Sequence, residues 1–340
     1  MRPSNTRRDP TVLLVVALVV VLAALVATPM LMSSPDTSGL AGRSETQIFA
    51  TPSTVEPSSP PALPAPTKRV KPKRDRAPKL DIKKQGQQQC VPADEDVDFT
   101  VVSYNIKSGH VAGSLERISE VLRASGADVV LLQEVDQLRY ASGRIDMPAV
   151  LGAQLDLRYA FGKNVPHADG GGYGTMILSR FPFVSVENTF LPQPAGTQRR
   201  GLLHTVLDVD GVEVSVYNTH LQNADPAARL LQAAAIDALV ADDPRPRILG
   251  GDMNAPPGSP PMNVLTRLWT DTWTAVGSGS GRTAPAGAPR ARIDYLLHGG
   301  SGLAPLATDV LPVRLSDHLA VRASYRLAGV GAEICFQKLS

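Results

Sequence analysis

From about residue 95 to residue 327 the chain alternates short apolar runs with segments of helical periodicity, and this alternation constrains the fold more than any other feature. The runs are rich in Val, Ile, Leu and Thr and are bounded by Gly, Pro or Asp, as buried strands are. They cover residues 99–106, 129–133, 174–178, 204–209, 212–219 and 247–250. Strands interleaved with helices over roughly 230 residues predict one α/β domain with large sheets.

Two segments carry signals for the start and the end of a helix. Ser114 can cap a helix that ends before Gly126. Asp225 and Pro226 combine a cap with a first-turn proline, and Pro244 ends the helix that follows. The apolar residues of this second helix are Leu230, Leu231, Ala234 and Leu239.

Charge divides the chain into two parts of opposite sign. Residues 1–89 hold 13 Lys and Arg against 6 Asp and Glu, a net of +7, whereas residues 90–340 hold 21 against 26, a net of −5. The folded part therefore presents no broadly basic face. This argues against strong binding of nucleic acid by release of counterions.

The N-terminal part has the pattern of a membrane anchor followed by a stalk. Residues 12–32 form an apolar stretch of 21 residues, long enough to cross a bilayer, and the arginines before it predict that residues 1–11 stay cytoplasmic. A signal peptide cleaved after Ala27 is the alternative, which would make the protein secreted. Residues 33–89 contain nine prolines and predict a disordered stalk. Its basic half, residues 68–84, is either a solvated spacer or a segment that binds anionic lipid, wall polymer or nucleic acid. The anchor predicts a catalytic domain, residues 90–340, outside the cytoplasm.

Cys90 and Cys335 are the two cysteines of the chain, and they bracket the folded part. In an exported protein this arrangement predicts a disulfide that joins both ends of the domain, with two unpaired thiols as the alternative.

Polar or acidic residues follow the apolar runs at six places. The segments are SYNI, LLQEVD, NTHL, GDMNAPP, RIDYLL and SDHLAV. Ionised carboxylates are costly to bury unless they bind a metal or another partner, so several of them at strand ends of one sheet predict a shared crevice. The Gly-, Pro- and Ser-rich segment 277–289 precedes one of these motifs, and its length predicts that it shapes a substrate mouth.

The six motifs, in this order, resemble the endonuclease/exonuclease/phosphatase superfamily over about residues 99–326. The resemblance implies a four-layer α/β sandwich of two mixed β-sheets flanked by helices, with the active site at one edge. It also implies a Mg²⁺ or Mn²⁺ cofactor. Glu134 matches the principal metal carboxylate, Asn105 the amide that assists it, and Asp317 a position near the metal or its waters.

The resemblance assigns the proton transfer and the phosphate contacts as well. His318 matches the general base, and Asp294 the carboxylate that holds its imidazole. Asp252 and Asn254 match the pair that orients the nucleophile and holds a phosphate oxygen. His220 matches a histidine that binds phosphate or helps to protonate the leaving group.

Two further residues are weaker candidates for phosphate binding. Asn218 can add a phosphate contact, and Arg200 either faces the site as a phosphate donor or lies on the surface. The segment Lys107-Ser108-Gly109-His110 departs from relatives that carry histidine directly after the first motif, which bears on substrate preference.

The function expected from this resemblance is hydrolysis of a phosphodiester, in nucleic acid or in a phospholipid headgroup, at the outer side of a membrane. A phosphomonoesterase of the inositol-phosphatase type is the first alternative. A non-catalytic binding module on the same scaffold is the second. No obligate protein partner is evident from the sequence.

Overall fold

The computed structural model describes residues 89–91, 96–109, 114–329 and 334–336. In these ranges two six-stranded mixed sheets pack face to face with helices on their outer faces, which confirms the four-layer α/β sandwich. The predicted cytoplasmic segment, the anchor at residues 12–32 and the stalk up to residue 88 lie outside the described residues. No helix within the described ranges is long and apolar enough to cross a membrane.

The strands in chain order are β1 (Gln89–Val91), β2 (Val97–Asn105), β3 (Val129–Gln137), β4 (Arg158–Pro166), β5 (Gly172–Ser179), β6 (Phe183–Phe190), β7 (Gly201–Val209), β8 (Val212–His220), β9 (Arg247–Asp252), β10 (Thr270–Asp271), β11 (Asp294–Gly299), β12 (Leu303–Val310), β13 (Val321–Leu327) and β14 (Ile334–Phe336). The α-helices are α1 (Ser114–Ala124), α2 (Met147–Leu155), α3 (Pro226–Val240), α4 (Pro260–Leu265) and α5 (Thr272–Val276).

One sheet has the order β12-β13-β2-β3-β5-β4 and the other the order β10-β11-β9-β8-β7-β6. Each sheet contains one parallel pair near its centre, β2 with β3 and β8 with β9, and the remaining neighbours are antiparallel. The carboxyl ends of parallel neighbours meet at one edge of a sheet. Polar residues that end these four strands are therefore brought to the edges of the two sheets.

The central strands are continuous apolar runs because both of their faces are buried. On β2, Phe99 and Val101 belong to the core between the sheets, whereas Val102 and Tyr104 pack toward α1 and α2. A strand with two buried faces loses the alternation of polar and apolar residues. This is why the sequence identified β2 and β3 readily.

The second predicted helix has the expected ends and a different buried face. Asp225 caps α3, and its carboxylate accepts hydrogen bonds from the backbone N–H groups of Ala227 and Ala228. The buried residues are Ala228, Gln232, Ala233, Ile236 and Val240. Leu230, Leu231 and Leu239, predicted to be the apolar residues of this helix, are exposed. Ala233, Ile236 and Val240 pack against the second sheet, so the buried face of α3 is the one that carries these residues and not the one that carries the leucines.

The chain ends of the domain meet in a short antiparallel ribbon. Strands β1 and β14 pair in register, with Cys90 opposite Cys335. The predicted disulfide concerns side chains outside the described part, and it stays a prediction.

Candidate active site

Three neighbouring strands of the second sheet place acidic and imidazole side chains side by side at one edge of the sandwich. Asp252, at the end of β9, is in register with His220 of β8 and with Asp294 of β11. Directly opposed residues point to the same face of a sheet. All three side chains are buried. The sequence suggested that Asp294 follows a strand, but Asp294 is the first residue of β11. Because β11 is antiparallel to β9, the start of β11 lies at the same edge as the end of β9.

Backbone geometry before Asp252 requires glycine. Gly251 has φ 148°, and an added Cβ would overlap the carbonyl oxygen of Thr219 on β8. Only a residue without a Cβ allows the two strands to approach this closely. The GDMN motif therefore positions its carboxylate through the glycine before it.

A β-bulge in the first sheet turns Glu134 toward this group. The register of β3 against β5 shifts between Leu132 and Val135, and Glu134 inside the bulge has φ 56°. A left-handed conformation is strained for glutamate, and bulges re-aim side chains next to functional sites. The carboxylate of Glu134 thereby comes within hydrogen-bond distance of Asn105, where β2 ends.

Asn105 joins the two sheets. Its side-chain NH₂ donates to Glu134 Oε1 at 2.9 Å and to Asp252 Oδ2 at 3.1 Å, and its Oδ1 accepts from the backbone N–H of Lys107 at 3.1 Å. The amide therefore offers its donor, and not its oxygen, to the carboxylates. This orientation differs from the ligand role that the resemblance implies.

His318 lies in the loop between β12 and β13, and Asp294 holds it. Its Nδ1 is 2.8 Å from Asp294 Oδ2 and 3.1 Å from Oδ1, and its Nε2 is 3.7 Å from Asp252 Oδ2. The long segment before β11 supports the same loop. Thr283 accepts a hydrogen bond from the backbone N–H of Leu319, and Ala286 donates one to the carbonyl of Asp317. Residues 277–289, which were predicted to shape a substrate mouth, thus hold the loop that carries His318.

The pKa values of three central groups differ from those of isolated side chains: two are raised and one is lowered. Burial and the nearby charge of Asp294 raise the pKa of Asp252 to about 7. Burial opposes the charge on His318, yet its hydrogen bond to Asp294 and the charges of Asp294, Asp252 and Asp317 raise its pKa to about 9. Burial and the positive charges of Arg200 and His318 hold the pKa of His220 well below its ordinary value. Without a bound cation, these shifts favour an imidazolium at His318 and a neutral imidazole at His220 at neutral pH.

Two groups of residues are candidates for a cation site. One ligand atom each from Asp252, Asp294 and His318 lies within 4.8 Å of the others. A metal-bound histidine must be neutral, so a protonated His318 fits proton transfer better than ion binding. The carboxylates of Glu134 and Asp252 converge on the Asn105 amide, and burial together with the charge of Asp294 raises the pKa of Asp252. Carboxylate oxygens with one open side fit Mg²⁺ or Mn²⁺.

Arg200 is buried beside His220, so the surface alternative for this arginine is excluded. It is 3% exposed, its Nη2 donates to Gln222 Oε1 at a long 3.4 Å, and its guanidinium contacts the Tyr173 hydroxyl. Within the described residues, Arg200 Nε and His220 Nδ1 have no hydrogen-bond partner. Buried donors without partners are costly. An oxyanion in the crevice would satisfy the arginine.

Asn218 lies below the crevice and not in it. Its NH₂ donates to the carbonyls of Leu132 and Met176, and its Oδ1 accepts from Gln133 Nε2 at 2.9 Å. The side chain is fully buried, and both ends of its amide are occupied. Asn218 therefore joins the two sheets, in contrast to the phosphate contact expected of it.

Asn254 and Asp317 lie at the border of the group. The backbone N–H of Asn254 donates to Asp252 Oδ1 at 2.9 Å, and its amide donates to the carbonyl of Leu221 at 3.0 Å. Asp317 is half-exposed next to His318, and its carboxylate pairs with Lys107. Asn254 thus orients Asp252, while Asp317 marks the rim.

Sequence reasoning missed several residues that shape the site. Gln133 lies in the motif LLQEVD, in which only its neighbour Glu134 was assigned a role. Tyr173 precedes a glycine in an apolar run, and Thr283 lies in a segment of low complexity. Lys107 was noted only as a departure from relatives. Each acts through contacts with distant segments, which no local pattern reveals.

The fold and the site define a class of protein, the four-layer α/β sandwiches with a polar crevice at one edge. The sequence model of the endonuclease/exonuclease/phosphatase family matches residues 102–318. The chain belongs to this family.

Similar proteins show how far the likeness extends. Protein cwh43 of Schizosaccharomyces pombe is 31% identical over 155 residues, which are 45% of this chain and 16% of that protein. An endonuclease/exonuclease/phosphatase from Beutenbergia cavernae is 27% identical with a TM-score of 0.55, over 69% of this chain and 74% of the other. The mannosyl-6-phosphatase Bt3783 of Bacteroides thetaiotaomicron, at 16% identity and a TM-score of 0.56 over 67% and 99%, shares the fold.

Proposed function

We propose that the chain is a divalent-cation-dependent phosphoesterase that hydrolyses a phosphodiester by in-line attack of water. One observation carries the proposal: the carboxylates of Glu134, Asp252 and Asp294 and the imidazoles of His220 and His318 meet at one edge of the sandwich. Membership of the family supports it. These groups supply cation ligands, a proton acceptor and donors to phosphate within one crevice.

Glu134 is the residue that would hold Mg²⁺ or Mn²⁺, with Asp317 at the rim, and Asp252 lies next to Glu134 on the other side of the Asn105 amide. A cation bound there would stabilise negative charge on the non-bridging phosphate oxygens. Asn105 keeps the two carboxylates together through its NH₂ group. Four carboxylates, those of Glu134, Asp252, Asp294 and Asp317, lie in or beside the crevice, and this supply of oxygen ligands supports the assignment.

Asp252 and His318 divide the proton transfer between them. Asp252, with a pKa of about 7, is ionised in a large fraction of molecules at neutral pH and can accept the proton of the attacking water. His318, with a pKa of about 9 without a cation, is an imidazolium that stabilises negative charge on the phosphate and can give its Nε2 proton to the leaving oxygen. Sequence reasoning assigned the base to His318. The raised pKa of His318 without a cation favours Asp252 as the base instead.

Arg200 and His220 would hold the phosphate, next to Asp252. Arg200 offers a buried Nε donor that has no partner in the described residues, and His220 lies next to it. A charge-assisted hydrogen bond to a phosphate oxygen would satisfy this donor. Asn254 orients Asp252 for the same reaction.

The substrate is a phosphodiester of nucleic acid or of a phospholipid headgroup, acted on outside the cytoplasm. The net charge of −5 over residues 90–340 disfavours broad contact with nucleic acid. The apolar stretch at residues 12–32 favours a substrate near a membrane, because a tether keeps the enzyme there. A phosphomonoester is the second candidate, since a mannosyl-6-phosphatase shares the fold.

Hydrolysis of bis-p-nitrophenyl phosphate with Mg²⁺ or Mn²⁺, before and after chelation, tests the proposal. Turnover must depend on the cation and must fall in Glu134→Gln and His318→Ala. Equal turnover in all three proteins would refute the site. Faster turnover of p-nitrophenyl phosphate than of the diester would favour the monoesterase. No turnover of any phosphoester would favour a binding module.

A further inference from the structure

A half-exposed ion pair closes the rim of the crevice between two segments that are far apart in sequence. Lys107 Nζ lies 2.6 Å from Asp317 Oδ2, with side chains 48% and 45% exposed. Lys107 follows β2, and Asp317 precedes His318 in the loop between β12 and β13. The pair therefore spans from the Asn105 side of the site to the His318 side.

The backbone that carries Lys107 is held in an unusual conformation. Lys107, Ser108 and Gly109 are left-handed in succession, with φ values of 47°, 52° and 57°. The N–H of Lys107 donates to Asn105 Oδ1, so the backbone is tied to the residue that links Glu134 and Asp252. Strained residues of this kind persist where the surroundings determine them, often at functional sites. Here the strain aims a lysine at the crevice.

We propose that Lys107 exchanges partners during the binding cycle. It neutralises Asp317 before a divalent cation binds, and it binds the substrate phosphate once the cation has attracted Asp317. This inference rests on the proposed function, because it takes the ligand to be a phosphate group.

The energetics of the pair suit such an exchange. Exposed ion pairs stabilise proteins little, by a median of about 0–1 kcal/mol, so separating this pair costs little. A lysine has a flexible stem and a compact charge, and it can move to a new anion without refolding of the backbone. A divalent cation near Glu134 repels the ammonium and attracts the Asp317 carboxylate. Both effects would release Lys107 at the rim of the crevice, where the charge of Glu134 also acts on it.

The exchange makes two binding events depend on each other. A cation that frees Lys107 raises the affinity for phosphate, and phosphate must raise the affinity for the cation by the same factor. Removal of the lysine charge should therefore act in opposite directions on the two ligands. Cation binding should tighten, because a competitor for Asp317 is lost. Phosphate binding in the presence of the cation should weaken.

Calorimetric titration of Lys107→Met with Mg²⁺, and then with inorganic phosphate at saturating Mg²⁺, tests the exchange without turnover. We expect the Kd for Mg²⁺ to fall about three- to tenfold and the Kd for phosphate to rise by a similar factor. Lys107→Arg keeps the charge and should stay near wild type. Arg326→Met is the matched control. Arg326 and Asp98 form an ion pair of 2.8 Å with side chains 49% and 50% exposed. This pair lies at the ends of β13 and β2 that are away from the crevice.

A double-mutant cycle separates exchange from simple attraction through space. In the Asp317→Asn background, Lys107→Met should change the Kd for Mg²⁺ much less than in the wild type. The reason is that Lys107 and Mg²⁺ no longer compete for the Asp317 carboxylate. An undiminished effect in this background would overturn the exchange, as would an unchanged or weaker affinity for Mg²⁺ in the single variant. An unchanged affinity for phosphate in Lys107→Met would overturn the proposed contact between Lys107 and the phosphate. Absence of hydrolysis in the wild type would contradict the proposed function, and the Mg²⁺ titrations would still decide the role of Lys107.

Discussion

The Nδ1 atom of His318 lies 2.8 Å from one carboxylate oxygen of Asp294 and 3.1 Å from the other, across 24 residues of sequence. This contact fixes the ring so that Nε2 faces Asp252 at 3.7 Å. It also keeps a proton on Nδ1, since a carboxylate without a proton accepts and cannot donate. The pair therefore determines both the direction and the charge of the imidazole.

Asp294→Asn should lower kcat on a phosphodiester by about 10²- to 10⁴-fold with a smaller change in KM, because an amide cannot hold an imidazolium in place. Steady-state kinetics with the cation at saturation measures the change. Asp309→Asn, which removes the exposed ion pair with Arg322, is the control and should keep wild-type rates. A mild effect of Asp294→Asn on kcat would contradict the role of the contact between Asp294 and His318.

The dependence of kcat/KM on pH should be bell-shaped. The rising limb reports ionisation of Asp252 and the falling limb reports loss of the His318 proton; without a cation the pKa values of these groups are about 7 and about 9. A bound cation lowers the pKa of both groups, which moves the limbs to lower pH and keeps their order. If His318 were the base, the rate would rise through its pKa and would not fall there.

Arg200→Gln should raise KM for a phosphodiester by roughly 10- to 100-fold, because a hydrogen bond to a charged group contributes about 1.5–3 kcal/mol. Arg200→Lys restores the charge without the planar fork and should recover part of the affinity. Thermal unfolding of both variants controls for the buried position. Equal KM values in the wild type and both variants would show that the unpartnered Nε does not meet the substrate.

The free energy of unfolding should decrease on acidification, because His298, a buried histidine away from the crevice, resists protonation in the folded protein. His298 Nδ1 shares a 2.9 Å hydrogen bond with Thr272, which also bonds the Tyr325 hydroxyl, and burial lowers the pKa of His298. The unfolded chain takes up this proton first, near pH 6.5, so the free energy of unfolding is full above that pH and falls as pH drops through the lower folded value. The slope contributed is at most about 1.4 kcal/mol per pH unit.

Urea unfolding of the wild type and His298→Gln between pH 7 and pH 5 measures this contribution. The variant should be less stable at pH 7 and should lose less stability on acidification. Parallel curves for the two proteins would show that His298 is not the group responsible.

A disulfide between Cys90 and Cys335 remains a prediction, and the register of β1 and β14 makes it testable. Directly opposed residues of an antiparallel pair have Cα atoms about 4.5–5.5 Å apart, within the range of a disulfide. We expect no free thiol in the oxidised protein and a lower thermal midpoint after reduction. Two titratable thiols in the native, unreduced protein would disprove the bond.

Local sequence determined much of the framework. The apolar runs predicted the central strands β2, β3, β8 and β9, because strands buried on both faces carry a strong local signal. Asp225 and Pro226 predicted the start of α3 through a cap that involves neighbours only. The order of six motifs predicted the sandwich, and the family match confirms it.

The roles of individual residues depended on contacts between distant segments. Asn105 meets Asp252 across 147 residues, and Lys107 meets Asp317 across 210. Asn218 looks like a site residue in the sequence, yet the packing of one sheet on the other uses both ends of its amide. Whether a polar side chain faces a crevice or joins two sheets depends on the relative position of those sheets.

Sequence by itself thus determined which polar residues stand at the strand ends, because strand periodicity and caps are local properties. Tertiary structure decided which of them share a crevice and in what charge state. The bulge at Glu134, the antiparallel start of β11 at Asp294 and the burial of Arg200 follow from pairing and packing across the whole domain. The pKa values of Asp252 and His318 arise only there, since they depend on burial and on neighbouring charges that the fold brings together.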